Sequence, residues 1–192
     1  MKIKQIVLLL FSCLTLALNA QETKIQNLKS SFLQNDWDTF FEAFPETFEE
    51  FLDIYGYDEI NGPRPLYDGY EHINFLFSSS RIYESYYFNK LLSLTQGYKW
   101  DADAPNYLSI NIFRMLMENP ERIIDLLHNK KQTEIYSFLR CAIYTRYPKH
   151  EHYLNDLNEL IEKYRLTSPR IACCLMKAYR EILYLEFEPY HW

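Results

Sequence analysis

The sequence predicts an all-α protein, and three observations lead to this prediction. Apolar residues recur at helical spacing, as at Leu154, Leu157, Leu160, Ile161 and Tyr164. The strict alternation of a half-buried strand is nearly absent. Glycine and proline fall where helices or turns would end and begin. We therefore expect about eight or nine helices arranged as antiparallel hairpins, for which a HEAT-like stack is one form.

Prolines mark the predicted helix starts. Pro45, Pro120 and Pro169 each open an apolar-periodic run, as a proline in the first turn of a helix does. Asp103 gives the same signal, because an aspartate before a helix can accept a hydrogen bond from an unpaired amide.

Glycines mark the predicted helix ends. Gly56 and Gly97 each follow an apolar run and are predicted to end a helix in the left-handed conformation. Together these signals predict helices near residues 23–43, 45–55, 70–78, 81–95, 104–118, 120–129, 133–146, 150–165 and 169–185.

The first twenty residues have the order of a secretory signal peptide. Lys2 and Lys4 precede an apolar stretch from Ile6 to Leu18, and Ala20 offers a cleavage site. Cleavage there predicts export, most concretely to the periplasm of a Gram-negative bacterium, and one domain over residues 21–192. The alternative is a lipoprotein attached through Cys13.

Charge constrains the class of partner. Without residues 1–20 the chain keeps 18 basic and 26 acidic residues, a formal charge of −8. No basic cluster is present, so nucleic acid is not an expected partner. A basic protein is the expected electrostatic complement. No second apolar stretch approaches the length of a membrane-spanning helix.

Aromatic residues are unusually abundant, with 17 Tyr, 13 Phe and 3 Trp. They could fill the core, or they could form a recognition surface, because Tyr and Trp are enriched at binding hot spots. We expect one core cluster to contain Trp37, Phe40, Phe41, Phe48 and Phe51.

Three cysteines remain after cleavage, namely Cys141, Cys173 and Cys174. An odd number leaves at least one thiol without a partner inside the chain. Cys141 could reach one of the other two if their helices pack together, although three buried free thiols are the favoured interpretation.

The sequence contains no Gly-rich phosphate loop, nucleophile elbow or His-Glu-x-x-His motif. His150 and His152 are two residues apart and would face different sides of a helix, so a metal site is not expected there. Glu71 and His72 could form an acid–base pair, although a local hydrogen bond is the favoured interpretation. We expect no cofactor and no metal.

One long segment, Tyr57–Gly69, interrupts the helical pattern and contains two glycines and two prolines. Long loops in compact domains often carry function, although this one could also be a packed connector with Leu66 and Tyr67 turned inward. With the turn that follows Gly97 it forms the candidate binding surface, which we predict to comprise Tyr57, Asp58, Tyr67, Asp68, Tyr70, Glu71, His72, Tyr98, Trp100, Asp101, Asp103 and Tyr107.

Several phrases between residues 44 and 120 resemble a group of uncharacterised bacterial secreted helical proteins. They are Phe44–Phe51, Ile54–Tyr57, Pro65–Tyr67, Glu71–Ile73, Lys99–Ala104 and Asn106–Tyr107. The resemblance implies an exported all-helical protein and brings no activity or catalytic residue with it.

The sequence therefore favours a non-enzymatic binding protein of the bacterial envelope, most concretely an immunity protein that neutralises a toxin. One alternative is a hydrolase with an unfamiliar site. Another is a structural or scaffolding protein of the envelope. The hydrolase would require Asp68, Glu71, His72, Asp101 and Asp103 to converge on one pocket.

Overall fold

A computed structural model describes residues 21–99, 104–144 and 151–187, and the side chains of all of these except 151–152 and 184–187. The predicted signal peptide, Cys13, Trp100, Asp101, Asp103 and His150 lie outside the described residues, as does the side chain of His152. The chain divides into two compact units, Met1–Phe44 and Pro45–Trp192.

Residues 21–44 of the first unit form two helices where the sequence predicts one. Helix α1 covers residues 21–33 of the described chain, and α2 covers Trp37–Ala43. Asn35 breaks the helical path with a φ of 55°, a conformation that asparagine tolerates better than most residues. Asp36 then begins α2, because its carboxylate accepts a hydrogen bond from the Thr39 amide at 3.1 Å.

Aromatic rings line α2. The rings of Trp37 and Phe41 stack at 5.2 Å, and those of Phe40 and Phe44 lie 5.6 Å apart. Phe40, Phe41 and Phe44 are buried, whereas Trp37 is half-buried. Phe48 and Phe51 of the second unit are also buried and stack on each other at 6.0 Å.

Within the described residues, the second unit consists of helices, their connections and one small antiparallel pair of strands, which confirms the all-α prediction. Pro120 and Pro169 are the first residues of their helices, as predicted. In chain order the elements are α3 (Phe48–Tyr55), β1 (Tyr57–Asp58), β2 (Gly62–Pro63), α4 (Tyr70–Leu76), a 3₁₀ helix (Ser80–Tyr83), α5 (Ser85–Leu94), α6 (Ala104–Glu118), α7 (Pro120–Leu127), α8 (Gln132–Tyr144), α9 (Glu151–Thr167) and α10 (Pro169–Phe187).

Helix α3 begins three residues later than its proline predicts. The Thr47 hydroxyl accepts a hydrogen bond from the Glu50 amide at 3.2 Å, and the Glu50 carboxylate accepts one from the Glu46 amide at 2.9 Å. Two side chains thereby satisfy amides at the helix start. Phe44, which would cap a helix that begins at Pro45, has no side-chain acceptor, whereas Thr47 has one, and the helix starts after Thr47.

The two predicted glycine stops differ. Gly97 has a φ of +74°, so its left-handed conformation is confirmed. Gly56 has a φ of −85° and a ψ of −174°, so the prediction of a left-handed conformation there is wrong. Gly56 is needed for space, because a Cβ atom would lie 2.6 Å from the Leu52 carbonyl oxygen.

In the second unit, each even-numbered helix from α4 to α8 packs on a helix two places later in the chain. Helix α4 packs on α6, α6 on α8 and α8 on α10. Helix α9 packs on α10, from which it is separated only by Ser168, so these two form an antiparallel hairpin. The HEAT-like stack stays a prediction. The core of this unit includes Ile73, Phe88, Leu108, Ile112, Phe138, Leu139 and Leu175.

Helices α8 and α10 run parallel. The Cys174 thiol lies 3.9 Å from the Gln132 carbonyl oxygen at one end, and the Arg140 Nε lies 3.4 Å from a Glu181 carboxylate oxygen further along both helices. Among the described residues, no helix is long and apolar enough to cross a membrane.

Candidate functional site

The predicted loop begins with a β-hairpin. Tyr57 pairs with Pro63 and Asp58 with Gly62 in antiparallel register, and residues 59–61 form the turn. Gly62 has a φ of +80°, as glycine commonly does after a three-residue turn of this kind. We refer to residues 57–63 as the hairpin.

The carboxylate of Asp58 organises this turn. Its Oδ1 accepts hydrogen bonds from the Ile60 amide at 3.0 Å, the Asn61 amide at 2.7 Å and the Asn61 side chain at 2.9 Å. These backbone N–H groups, that of Asn61 foremost, lower the pKa of Asp58 below its ordinary value. The carboxylate therefore holds the turn at neutral pH.

Further contacts attach the hairpin to α3. The Arg64 guanidinium donates to Asp58 Oδ2 at 3.1 Å and lies 3.7 Å from Asp53 Oδ1. The Arg64 amide donates to the Gly56 carbonyl at 3.0 Å, and the Leu66 amide to that of Ile54 at 2.9 Å. Leu66 is buried. The segment after the hairpin is thus a packed connector.

The hairpin carries apolar side chains into solvent. Ile60, in the turn, is 92 % exposed, and Tyr57 is 51 % exposed. The Tyr57 ring lies 5.6 Å from that of Tyr67, which is half-buried.

A second exposed cluster joins the two predicted segments. The rings of Tyr70 on α4 and Tyr107 on α6 lie 5.5 Å apart, and Ile110 is one helical turn beyond Tyr107. These three side chains are 46 %, 36 % and 38 % exposed, respectively. We call them the aromatic patch. Below it, the Asn111 side chain donates to Asn74 at 3.2 Å and ties the two helices together.

Among the described residues of the candidate surface, two are buried instead. His72 is 8 % exposed, and its Nδ1 lies 3.1 Å from the Tyr55 hydroxyl. Tyr98 is 4 % exposed and donates to the Pro105 carbonyl at 3.2 Å. Burial raises the pKa of both Tyr55 and Tyr98. Because His72 and Tyr98 are buried between elements of the fold, they do not belong to a contact surface.

Two acidic members of the candidate surface lie in solvent on either side of Tyr70 in the sequence. Asp68 and Glu71 are exposed, and Glu71 Oε1 accepts a hydrogen bond from the Tyr70 hydroxyl at 3.3 Å. The imidazole of His72 is buried, and its Nδ1 lies 3.1 Å from the Tyr55 hydroxyl, so an acid–base role for Glu71 and His72 stays a prediction.

Sequence reasoning did not identify a polar network between α8 and α10. The Tyr136 hydroxyl donates to Glu181, which also pairs with Arg140, and the Lys177 ammonium lies 4.7 Å from the centre of the Tyr136 ring. Burial and then Glu181 raise the pKa of Tyr136 to about 12. The partners are more than forty positions apart, and no local sequence signal pairs them.

Two shallow clefts lie on the described surface of the second unit. One of about 270 Å³ is lined by Gln132, Thr133, Tyr136, Cys174 and Lys177. The other, of about 320 Å³, lies where Arg122 and Asp125 of α7 face Tyr83 and Ser85. The first cleft has one basic side chain in its lining, Lys177. The second has two, Arg122 and Lys130, together with the acidic Asp125.

Cys141, Cys173 and Cys174 are all free thiols, and Cys173 is exposed. Cys141 cannot pair with Cys174, because α8 and α10 are parallel and Gln132 is the residue opposite Cys174. Cys141 lies nine residues further along, about 14 Å at 1.5 Å per residue, which exceeds the span of a disulfide.

Within the described residues, no group of three or more His, Cys, Asp or Glu side chains could hold a metal ion. No family model, curated protein or solved structure matches this chain, so the interpretation of the site depends on its own geometry.

Proposed function

We propose that this chain is an exported binding protein of the bacterial envelope, most concretely an immunity protein that neutralises a toxin by direct contact. The observation that carries the proposal is the contact of Tyr70 with Tyr107, which joins two segments distant in sequence into one exposed aromatic patch. Tyrosine contributes large, rigid contact area, and for this reason it is common at binding hot spots.

The scaffold beneath the patch supports this role. Tyr70 and Tyr107 each lie on a helix, and the bond of Asn111 to Asn74 fixes the two helices side by side. A surface that is already ordered loses little conformational freedom on binding.

Charge supports a basic partner. The chain has a formal charge of −6 as given and −8 without its first twenty residues. Glu59, Asp68 and Glu71 are exposed acids close in sequence to the hairpin and the patch. Such a field accelerates encounter with a basic protein.

The test begins with the native host, where the exported chain, carrying an affinity tag, is used to isolate its partner. Growth of host cells that express the partner is then compared with and without this chain. The proposal expects the partner to inhibit growth and this chain to relieve the inhibition. A partner that is harmless in both conditions contradicts the immunity role.

Matched variants locate the surface. Alanine at Tyr70 and Tyr107 is expected to weaken binding by about tenfold or more. Leu166, which is 83 % exposed on α9, provides the control, because Leu166→Ala removes an exposed apolar side chain elsewhere. Equal affinity of all variants contradicts the assignment of the patch.

A further inference from the structure

We propose that the hairpin acts as an insertion finger, with Ile60 entering an apolar pocket on the partner protein and basic side chains of the partner surrounding that pocket. This inference rests on the proposed binding function and adds to it an anchor residue and the chemistry of the opposing surface.

The residue in the turn is the first argument. Turns favour Gly, Pro, Asn, Asp and Ser, each of which fits the backbone or hydrogen-bonds to it. The Ile60 side chain has no hydrogen-bonding group, and at 92 % it is the most exposed large apolar side chain among the described residues. Single exposed apolar residues are ordinary on protein surfaces, so exposure alone would carry nothing.

Rigidity is the second argument. The amide of Ile60 itself is held by Asp58, and the Arg64 guanidinium connects that carboxylate to Asp53 of α3. The stem is held further by the hydrogen bond from the Arg64 amide to Gly56. These hydrogen bonds and ion pairs therefore hold the backbone of a solvent-exposed isoleucine in one conformation. An anchor that is ordered before binding loses little backbone entropy on insertion.

Charge identifies the partner. Glu59, next to Ile60, is exposed, while Arg64 is paired with Asp53 and Asp58. The surroundings of the anchor are thus acidic, which suits a pocket with Lys or Arg at its edge. The same charge is repelled by an anionic lipid surface, so a protein is favoured over a membrane.

The experiment places a photo-crosslinking amino acid, benzoylphenylalanine, at Ile60 in the full chain and expresses it in the native host. Two further positions carry the same group: Tyr107 reports on the aromatic patch and Leu166 serves as the exposed control. We expect the Ile60 probe to label one protein, at residues that line an apolar pocket with a basic edge, and the Leu166 probe not to label it.

Purified components then give the affinity. Ile60→Ser is expected to raise the Kd for the labelled protein by about tenfold or more, whereas Leu166→Ser should change it by less than about twofold. Slow hydrogen exchange at the Asn61 amide in Ile60→Ser shows that the hairpin is still formed. An unchanged Kd for Ile60→Ser overturns the finger.

Other outcomes separate this inference from the proposed function. Labelling from Tyr107 but not from Ile60 overturns the finger and leaves the binding function standing. Labelling from neither position overturns both. Binding of the wild type to vesicles of anionic phosphatidylglycerol, lost in Ile60→Ser, would assign the tip to a membrane and overturn the protein pocket.

Discussion

At the scale of residues, short polar side chains decide where the chain turns. Asp58 holds the hairpin turn, Asp36 begins α2 and Thr47 begins α3, in each case by accepting a backbone amide. These acceptors lie within three residues of their donors. The sequence could reveal such caps, but it could not show which of several candidates the packed chain would use.

Asp58→Ala is expected to open the hairpin turn while leaving the helices folded. Loss of the carboxylate leaves the Ile60 and Asn61 amides without their acceptor, so their hydrogen exchange should become faster. Asp68→Ala, which removes an exposed carboxylate ten residues further along the chain, is the control. Equal exchange rates in both variants would contradict the role of Asp58.

Acid should open the same turn. Hydrogen bonds from the Asn61 and Ile60 amides lower the pKa of Asp58 below 3.8. Their contribution to the stability of the turn is therefore fully present above pH 3.8. It is lost as the pH falls through the lowered value, where the carboxylate becomes protonated. Exchange or chemical shifts of the Asn61 amide between neutral and acidic pH measure this, and opening well above pH 3.8 would contradict it.

Burial distinguishes the aromatic residues from one another. Phe51 is fully buried, so Phe51→Ala should lower the free energy of unfolding by about 3–5 kcal/mol. Ile60→Ala, at an exposed position, should change it by no more than about 0.5 kcal/mol. Denaturant unfolding of both variants measures the difference. Similar values would show that Phe51 is not a core residue.

At the scale of elements, the sequence predicts helices best where the spacing of apolar residues and the positions of proline, glycine and capping residues indicate the same ends. The predicted range 104–118 is that of α6. The sequence does not predict the two-residue strands, because they are too short to show alternation. The Asn61–Gly62 pair is the signal that could have revealed the hairpin, since Asn-Gly is common in hairpin turns.

The sequence does not distinguish the exposed tyrosines of the candidate surface from the buried one. Tyr57, Tyr70 and Tyr107 are exposed as the prediction requires, but Tyr98, in the same kind of sequence context, is buried. Whether a tyrosine near a turn faces outward depends on which helix packs over it, and helix packing is a long-range property. Composition and local pattern do not contain that information.

Gly97→Ala should destabilise the end of α5 by about 1 kcal/mol, because alanine is strained at a φ of +74° even though its Cβ would meet open space. Gly97→Asn should cost less, since asparagine tolerates the left-handed region. Thermal or denaturant unfolding of the two variants provides the comparison. Equal stability of Gly97→Ala and wild type would contradict the backbone argument.

At the scale of the whole molecule, the helices are held by contacts between distant segments. Ser109 on α6 donates to the Ala142 carbonyl of α8 at 3.2 Å, and Phe88 on α5 packs on Phe138 of α8 at 5.2 Å. The all-α class follows from local periodicity, whereas the order of neighbours depends on these long-range pairs, which the sequence does not specify.

The thiols report on this packing. Cys173 is exposed, whereas Cys141 is buried and its pKa is raised by that burial. An alkylating reagent should therefore modify Cys173 in the folded protein and Cys141 only after unfolding. Intact mass after denaturing alkylation should show Cys141, Cys173 and Cys174 all modified. A disulfide between Cys141 and Cys174 would contradict the parallel arrangement of α8 and α10.

The central claim is that an acidic, aromatic surface binds a basic protein, and association kinetics test it most directly. The rate constants of the purified complex are measured at low and high salt for wild type and Tyr107→Ala. We expect salt to slow association of both proteins, because it screens the acidic residues, and Tyr107→Ala to accelerate dissociation. Association that is independent of salt, with dissociation unchanged in Tyr107→Ala, would contradict the claim.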